Sequence, residues 1–207
     1  GRALHVGARA LMPRIVGQID AVKSEAILDA ASEVLGERGL AAPMEEIARR
    51  AKVSKQTVYN HYGSKADLVR ALVERRVASI TAPLREAGAD QHPEETLKAY
   101  ARTLLTLVSN KNYALMRVTI QSAGAMPDLA REVLEAGPKH SRAQLAQFLD
   151  LETRAGRMAV HDPLQAAEFF GGMVLGHRQT KALLNLAPDL SEDEIDASAT
   201  EAARIFM

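Results

Sequence analysis

Residues 45–68 read EEIARRAKVSKQTVYNHYGSKADL, and this stretch decides the fold of the amino-terminal part of the chain. Ile47, Ala48 and Ala51 recur at helical spacing and predict a buried face. Pro43 opens that helix, a favoured first-turn position, and Glu45 and Glu46 stand at its positive end. Lys52-Val53 form a turn. Ser54 then offers a hydroxyl to the first amides of the next helix, predicted over 55–62 and stopped by Gly63. Ser64, with Asp67 three residues on, resembles a capping box with Asp in place of Glu and opens a helix over 65–81. Two short helices a few residues apart, the second opened by a small polar cap, have the spacing of a helix-turn-helix.

The helix over 55–62 has two different sides. Val58 and Tyr62 are four residues apart and are expected to join Ile47 and Leu68 in a small core. Lys55–Tyr59 and Gln56–Asn60 repeat the same spacing and point away from that core. Amide side chains make paired hydrogen bonds with adenine, and a lysine reaches guanine acceptors or a phosphate. Thr57 and His61 form a flanking row, where a wall of phosphates would lie. Tyr59 adds a hydroxyl for a phosphate and a ring for a thymine methyl. Lys65 is unusual so early in a helix, since the dipole disfavours a cation there. Together with the open amides of that helix start it would make a phosphate clamp.

Outward from this stretch the chain reads as all-α, since no segment sustains period-2 alternation. A first helix is expected over 22–38, with Ile27, Ala30, Ala31, Val34 and Leu35 as its apolar stripe and Gly39 as its end. Residues 1–21 are expected to be a flexible basic arm, 22–82 a three-helix helix-turn-helix domain, and 83–207 a larger helical domain. Residues 87–93 read as a linker. Later helices are expected over 94–109, 113–123, 127–136, 138–154, 163–186 and 191–206, several opened by Pro or Ser.

The 207 residues include equal numbers of basic and acidic side chains, 26 of each. A net charge of zero is unusual for a nucleic-acid binder, but the distribution is uneven. Residues 1–76 hold thirteen Lys/Arg against nine Asp/Glu, and the remainder thirteen against seventeen. The basic surplus coincides with the helix-turn-helix. There is no cysteine, which excludes disulfides and thiolate metal sites and suits a reducing compartment. No apolar run is long enough to span a bilayer, and the start lacks the apolar stretch of a secretory signal. A cytoplasmic location without membrane contact is therefore expected. No two of the six histidines stand four residues apart, and there is no glycine-rich phosphate loop. His161-Asp162 are adjacent, so their side chains diverge. No catalytic residue, metal or cofactor is expected.

The run IARRAKVSKQTVYNHYGSKADLVRAL resembles the TetR (tetracycline repressor-like) family of bacterial transcriptional regulators, whose pattern is approximately I-A-x-x-A-G-V-S-x-x-T-x-Y-x-[HY]-F-x-x-K-x-x-L. Ile47, Ala48, Ala51, Val53, Ser54, Thr57, Tyr59, His61, Lys65 and Leu68 fall on it, and ILDAASEVLGERGL is similar to the family's opening helix. The resemblance implies that Thr57, Tyr59, His61 and Lys65 contact the DNA backbone while Lys55, Gln56 and Asn60 face bases. Three positions depart from the pattern. Lys52 stands where glycine is usual, which costs strain on the order of 1 kcal/mol or means that the turn is drawn differently. Ala42-Pro43 supplies no hydroxyl where Thr or Ser would contact a phosphate. Tyr62 replaces Phe.

Residues 133–176 are similar to the carboxy-terminal domain of a TetR subgroup related to regulators of efflux and quorum-sensing genes, through Gly137-Pro138, Gly156-Arg157, Asp162-Pro163, Ala166-Ala167 and Phe169. That likeness implies an effector-binding and dimerising domain. Helices 163–186 and 191–206 are the interface candidates. Gly171, Gly172 and Gly176 would permit close helix contact, or else a kink or intramolecular packing. Tyr113, Met116, Arg117, Ile120, Gln121, Phe148, Phe169, Phe170, Met173 and His177 are the effector-binding candidates, with Met126 a further apolar one. The expected function is a homodimeric DNA-binding regulator, a repressor released from a palindromic operator by a small molecule. A helical protein-binding adaptor and an all-α enzyme are the competing classes. Salt-sensitive DNA affinity separates the first from both.

Overall fold

The computed structural model describes residues 12–86 and 92–207, with side chains from residue 17 onward. Every regular element among the described residues is helical. The chain divides into two compact units. The first ends at Leu68 and the second is Val69–Met207. The division falls inside the fourth helix rather than after residue 82, because Leu68 is buried in the first unit while the helix beyond it supplies apolar side chains to the second. Residues 1–11 of the expected arm, and 87–91 of the expected linker, lie outside the described residues.

In the first unit α1 (Met12–Arg38) carries the expected stripe, with Ile27, Ala30, Ala31, Val34 and Leu35 all buried. It starts ten residues before the expected Val22. Residues 17–22 of the added turns are exposed, so no buried face marks them in the sequence, and periodicity reveals a helix only where one side is buried. Gly39 ends α1 at φ 88°, a left-handed conformation that glycine adopts without a Cβ clash. Then follow α2 (Met44–Ala51), α3 (Lys55–His61) and the start of α4 (Lys65–Thr81). Pro43 sits one position earlier than expected, as the N-cap of α2.

The second unit contains the rest of α4, a 3-10 turn (Ala82–Arg85), α5 (Pro93–Leu107), α6 (Ala114–Ser122), α7 (Pro127–Leu134), α8 (His140–Arg154), α9 (Pro163–Leu183) and α10 (Glu192–Phe206). Its core is built from one face each of α5, α8, α9 and α10, around Leu97, Leu105, Leu145, Leu149 and Phe170. Phe170 meets Phe206 edge-on, with ring centroids 5.0 Å apart, a favoured aromatic geometry. The helix expected from Pro138 begins instead at His140. A π-helical turn over Glu135–Lys139 precedes it, since Gly137 takes non-helical dihedrals. Its α-carbon lies so close to α4 that an added Cβ would meet Val73 Cγ1 at 3.0 Å. Glu152 is wholly buried, and Arg157 neutralises it through two hydrogen bonds of 2.6 and 3.1 Å across the Gly156 turn. Ser191 and Glu194 close a full capping box on α10.

Lys52 lies at φ 58°, ψ 40°, which confirms that the turn requires a left-handed residue. A lysine held there stores about 1–2 kcal/mol of strain, and glycine's greater unfolded freedom returns part of it. Lys52→Gly is therefore expected to stabilise the protein by roughly 0.5–1 kcal/mol. A shift of the urea midpoint to higher concentration with unchanged slope would show it. An unchanged or lower midpoint would contradict it.

Candidate DNA-binding face

α3 has only seven residues, too few to be helical alone. It is fixed at both ends and along one side. Ser54 Oγ accepts the Thr57 amide at 3.0 Å. Val58 is fully buried. Tyr62, the C-cap, bonds through its hydroxyl to Ser24 Oγ of α1 at 2.8 Å. The hydroxyl that distinguishes Tyr62 from the usual Phe thus has a partner.

Fixing that side leaves the other outward. Lys55, Gln56, Tyr59 and Asn60 are exposed, and Thr57 and His61 are half-buried on the flank. Gln56 Nε2 donates to Asn60 Oδ1 at 2.9 Å. This bond aligns the two amides and leaves Gln56 an acceptor and Asn60 both its donors. Thr57 Oγ1 lies 2.8 Å from Ser54 Oγ, so its hydroxyl faces the cap.

Two cations are more engaged than the sequence suggested. Lys55 forms an ion pair with Glu45 of α2, and its ammonium sits 5.8 Å from the centre of the Tyr59 ring. The Lys55 hydrogen bond holds the Glu45 carboxyl below its ordinary range, and the same bond raises the Lys55 ammonium. The pair therefore stays charged around neutral pH. Lys65, expected as an open phosphate clamp, donates instead to the Leu40 carbonyl at 2.9 Å. Burial lowers its pKa, and Glu45 partly opposes that shift. Its first role is to anchor the loop after α1, which overrides the dipole argument against a cation at that place. Two ammonium donors remain for another acceptor.

The second unit contains a cavity of about 130 Å³ lined from α4 to α9, the π-helical turn and Tyr113. Of the ten expected effector residues, Tyr113 and Met116 line it. Phe148 and Phe170 are core. Arg117 is committed to the carbonyls of Ala182 and Asn110, both at 2.6 Å. Ile120, Gln121, Phe169, Met173 and His177 are exposed. Apolar type alone did not distinguish cavity from core or surface. Arg76, Tyr100, Ser141, Arg142 and Gln179 line the cavity and were missed. A signal for Arg76 was present, since it interrupts the apolar stripe Leu72, Val73, Val77, Ile80 of α4.

Residues 27–72 match the family described as bacterial regulatory proteins, tetR family. Residues 95–207 match the AefR-like transcriptional repressor, C-terminal domain. The chain is 47% identical over 62 residues to the HTH-type transcriptional activator FasR of Mycolicibacterium smegmatis, a match covering 30% of this chain and 28% of that protein. It is 35% identical over 80 residues to the HTH-type transcriptional repressor Rv3405c of Mycobacterium tuberculosis, covering 38% and 43%. The matched part is thus less than half the length of either of these curated relatives. Among solved structures, the flavonoid-responsive regulator FrrA is 33% identical with a TM-score of 0.66, over 89% of this chain and 94% of that one. A TetR transcriptional regulator from Agrobacterium tumefaciens is 25% identical with a TM-score of 0.70, over 89% and 92%.

Glu45 holds Lys55 in an ion pair and adds a negative charge beside the outward face. Glu45→Gln is expected to tighten binding severalfold to specific and unrelated duplexes alike, since the gain is electrostatic. Fluorescence anisotropy with both duplexes at one salt concentration measures it. Unchanged or weaker binding would remove Lys55 from the interface.

Proposed function

This chain belongs to the tetR family of bacterial regulatory proteins, and on that premise we propose that it acts as a homodimer that places two α3 helices in the major groove of a palindromic operator. A small molecule held by the second unit releases it, and the regulatory outcome is repression. The observation that carries the reading is the outward pair Gln56 and Asn60, exposed and mutually aligned on a helix whose opposite side is anchored. Amides so presented match the donor and acceptor edge of adenine. Tyr59, His61, Thr57 and the remaining donors of Lys65 are the proposed backbone contacts, and Lys55 reaches DNA by leaving Glu45.

One short helix reads few base pairs, and two-fold pairing doubles the readout at half-sites about 34–36 Å apart or a multiple of that. α9 supplies a surface for such pairing. Leu164 and Phe169 are 63% and 64% exposed, Met173 40%, and Gly172 and Gly176 are open beside them. Large apolar side chains left out on one helix mark an interaction site. Gly171 differs, being buried at the cavity wall, and Gly176 takes φ 41° and kinks the helix. Release by a small molecule is supported by the cavity and by the flavonoid response in the name of FrrA. Repression is supported by the description of the carboxy-terminal match. α4 contributes residues to both units, which makes it the element through which occupancy would bias DNA binding. The ligand can do so only by its differential affinity for the two states. A cytoplasmic location is part of the proposal, since the target is DNA. No helix among the described residues is long and apolar enough to cross a membrane.

Operator selection from genomic fragments should return a palindrome. Asn60→Ala should then lose about 1–3 kcal/mol of discrimination at one base pair per half-site, with unrelated DNA bound as before. Equal loss on every sequence would make Asn60 a backbone contact and defeat the docking. Phe169→Asp should leave a monomer in sedimentation velocity at micromolar concentration, and an intact dimer would move the interface off α9.

A further inference from the structure

The cavity in the second unit carries its own chemical bias. Most of its wall is hydrocarbon, contributed by side chains such as Leu104 and Leu175. Two arginines, Arg76 and Arg142, line it, and no Asp or Glu does. Arg76 donates to the Asn112 carbonyl at 2.5 Å, and among the described residues no carboxylate pairs with it. A guanidinium has five N–H donors, so one accepting carbonyl leaves most of that capacity unused. Burial lowers the Arg76 pKa, Tyr113 opposes the shift and Arg75 adds to it. The guanidinium is therefore short of compensating negative charge. Burial also raises the phenol of Tyr113, which keeps it a neutral donor beside Gln179, 3.5 Å from its hydroxyl. Buried cations without an anion are costly, and a carboxylate held by a guanidinium fork offsets that cost with geometry as well as charge.

The geometry points to an organic carboxylate with a compact apolar body as the ligand of this cavity, its acid group on Arg76 and its body on the hydrocarbon wall. This inference rests on the regulator reading for its consequence, since the carboxylate would be the releasing effector. About 130 Å³ is close to the roughly 150 Å³ of an apolar cavity that holds benzene. One aromatic ring or a chain of about six carbons is therefore the expected body size. A neutral ligand of the same shape would leave the arginine uncompensated and bind less well.

Isothermal titration calorimetry on the full chain without DNA tests this. Benzoate, 3-phenylpropionate and hexanoate are each compared with the matching primary carboxamide. At least one acid is expected to bind about tenfold or more tightly than its amide. Arg76→Met should abolish that preference, and Arg76→Lys should retain part of it, with helicity checked by circular dichroism. If Arg76→Met does not fold, the Arg76→Lys variant decides by whether the acid preference falls. Acids and amides binding alike, a preference that survives Arg76→Met, or an undiminished one in Arg76→Lys overturns the proposal. So does the absence of binding by all six at millimolar concentration. Because DNA is absent, these outcomes are distinct from a failure to bind an operator, which would defeat the regulator reading and not the cavity's selectivity.

Discussion

A helix of seven residues cannot hold itself together, and everything the first unit can do depends on how α3 is held. Forming one turn costs more backbone entropy than its few hydrogen bonds return. The deficit is met from outside. Ser54 caps the first turn, Val58 is buried, and the Tyr62 hydroxyl ties the last turn to Ser24 on α1. These constraints fix rotation about the helix axis. Once Val58 faces inward, Gln56 and Asn60 must face outward. Their bond to one another then sets the orientation of both amides before any partner arrives. Preorganisation of this kind lowers the cost of ordering side chains on binding.

The second unit solves a different problem. Its core leaves a space between α4, α5, α8 and α9, and the π-helical turn at Gly137 lets the chain pass close to Val73 at the edge of that space. A cavity lowers stability through lost contacts, and a half-buried arginine beside it adds desolvation. Both costs are recovered when a fitting anion binds. Such a ligand contributes free energy only to conformations that keep the cavity formed, and this is the differential affinity a switch needs.

Much of this was legible in the sequence, wherever one residue type has one physical use. The Ser54 cap and the Val58 and Tyr62 anchors follow from local chemistry alone, and the left-handed turn at Lys52 from the family pattern, which has glycine there. Local chemistry also placed the carboxy-terminal helix ends within a few residues; a non-helical Gly137 moved the start of α8 from the expected Pro138 to His140. What the sequence hid was set by tertiary packing. Residues 17–22 of α1 are exposed, so no pattern announced them. Lys65 looked available because the Leu40 carbonyl it binds is distant in sequence. The cavity was missed because Phe148, Phe170 and Met173 have similar character but lie in core, core and solvent. The residue that distinguishes the cavity is the charged one, Arg76, set in an apolar stripe.

The proposed docking sets Gln56 and Asn60 against the major-groove edge of adenine. Substituting 7-deazaadenine within the half-sites removes only the N7 acceptor there and leaves base pairing and phosphates unchanged. Titration of the selected operator with and without that substitution measures the claim directly. That docking predicts about a tenfold to hundredfold loss of affinity, absent when Asn60 and Gln56 are both replaced by alanine. Equal affinity of the wild-type protein for both duplexes would contradict it.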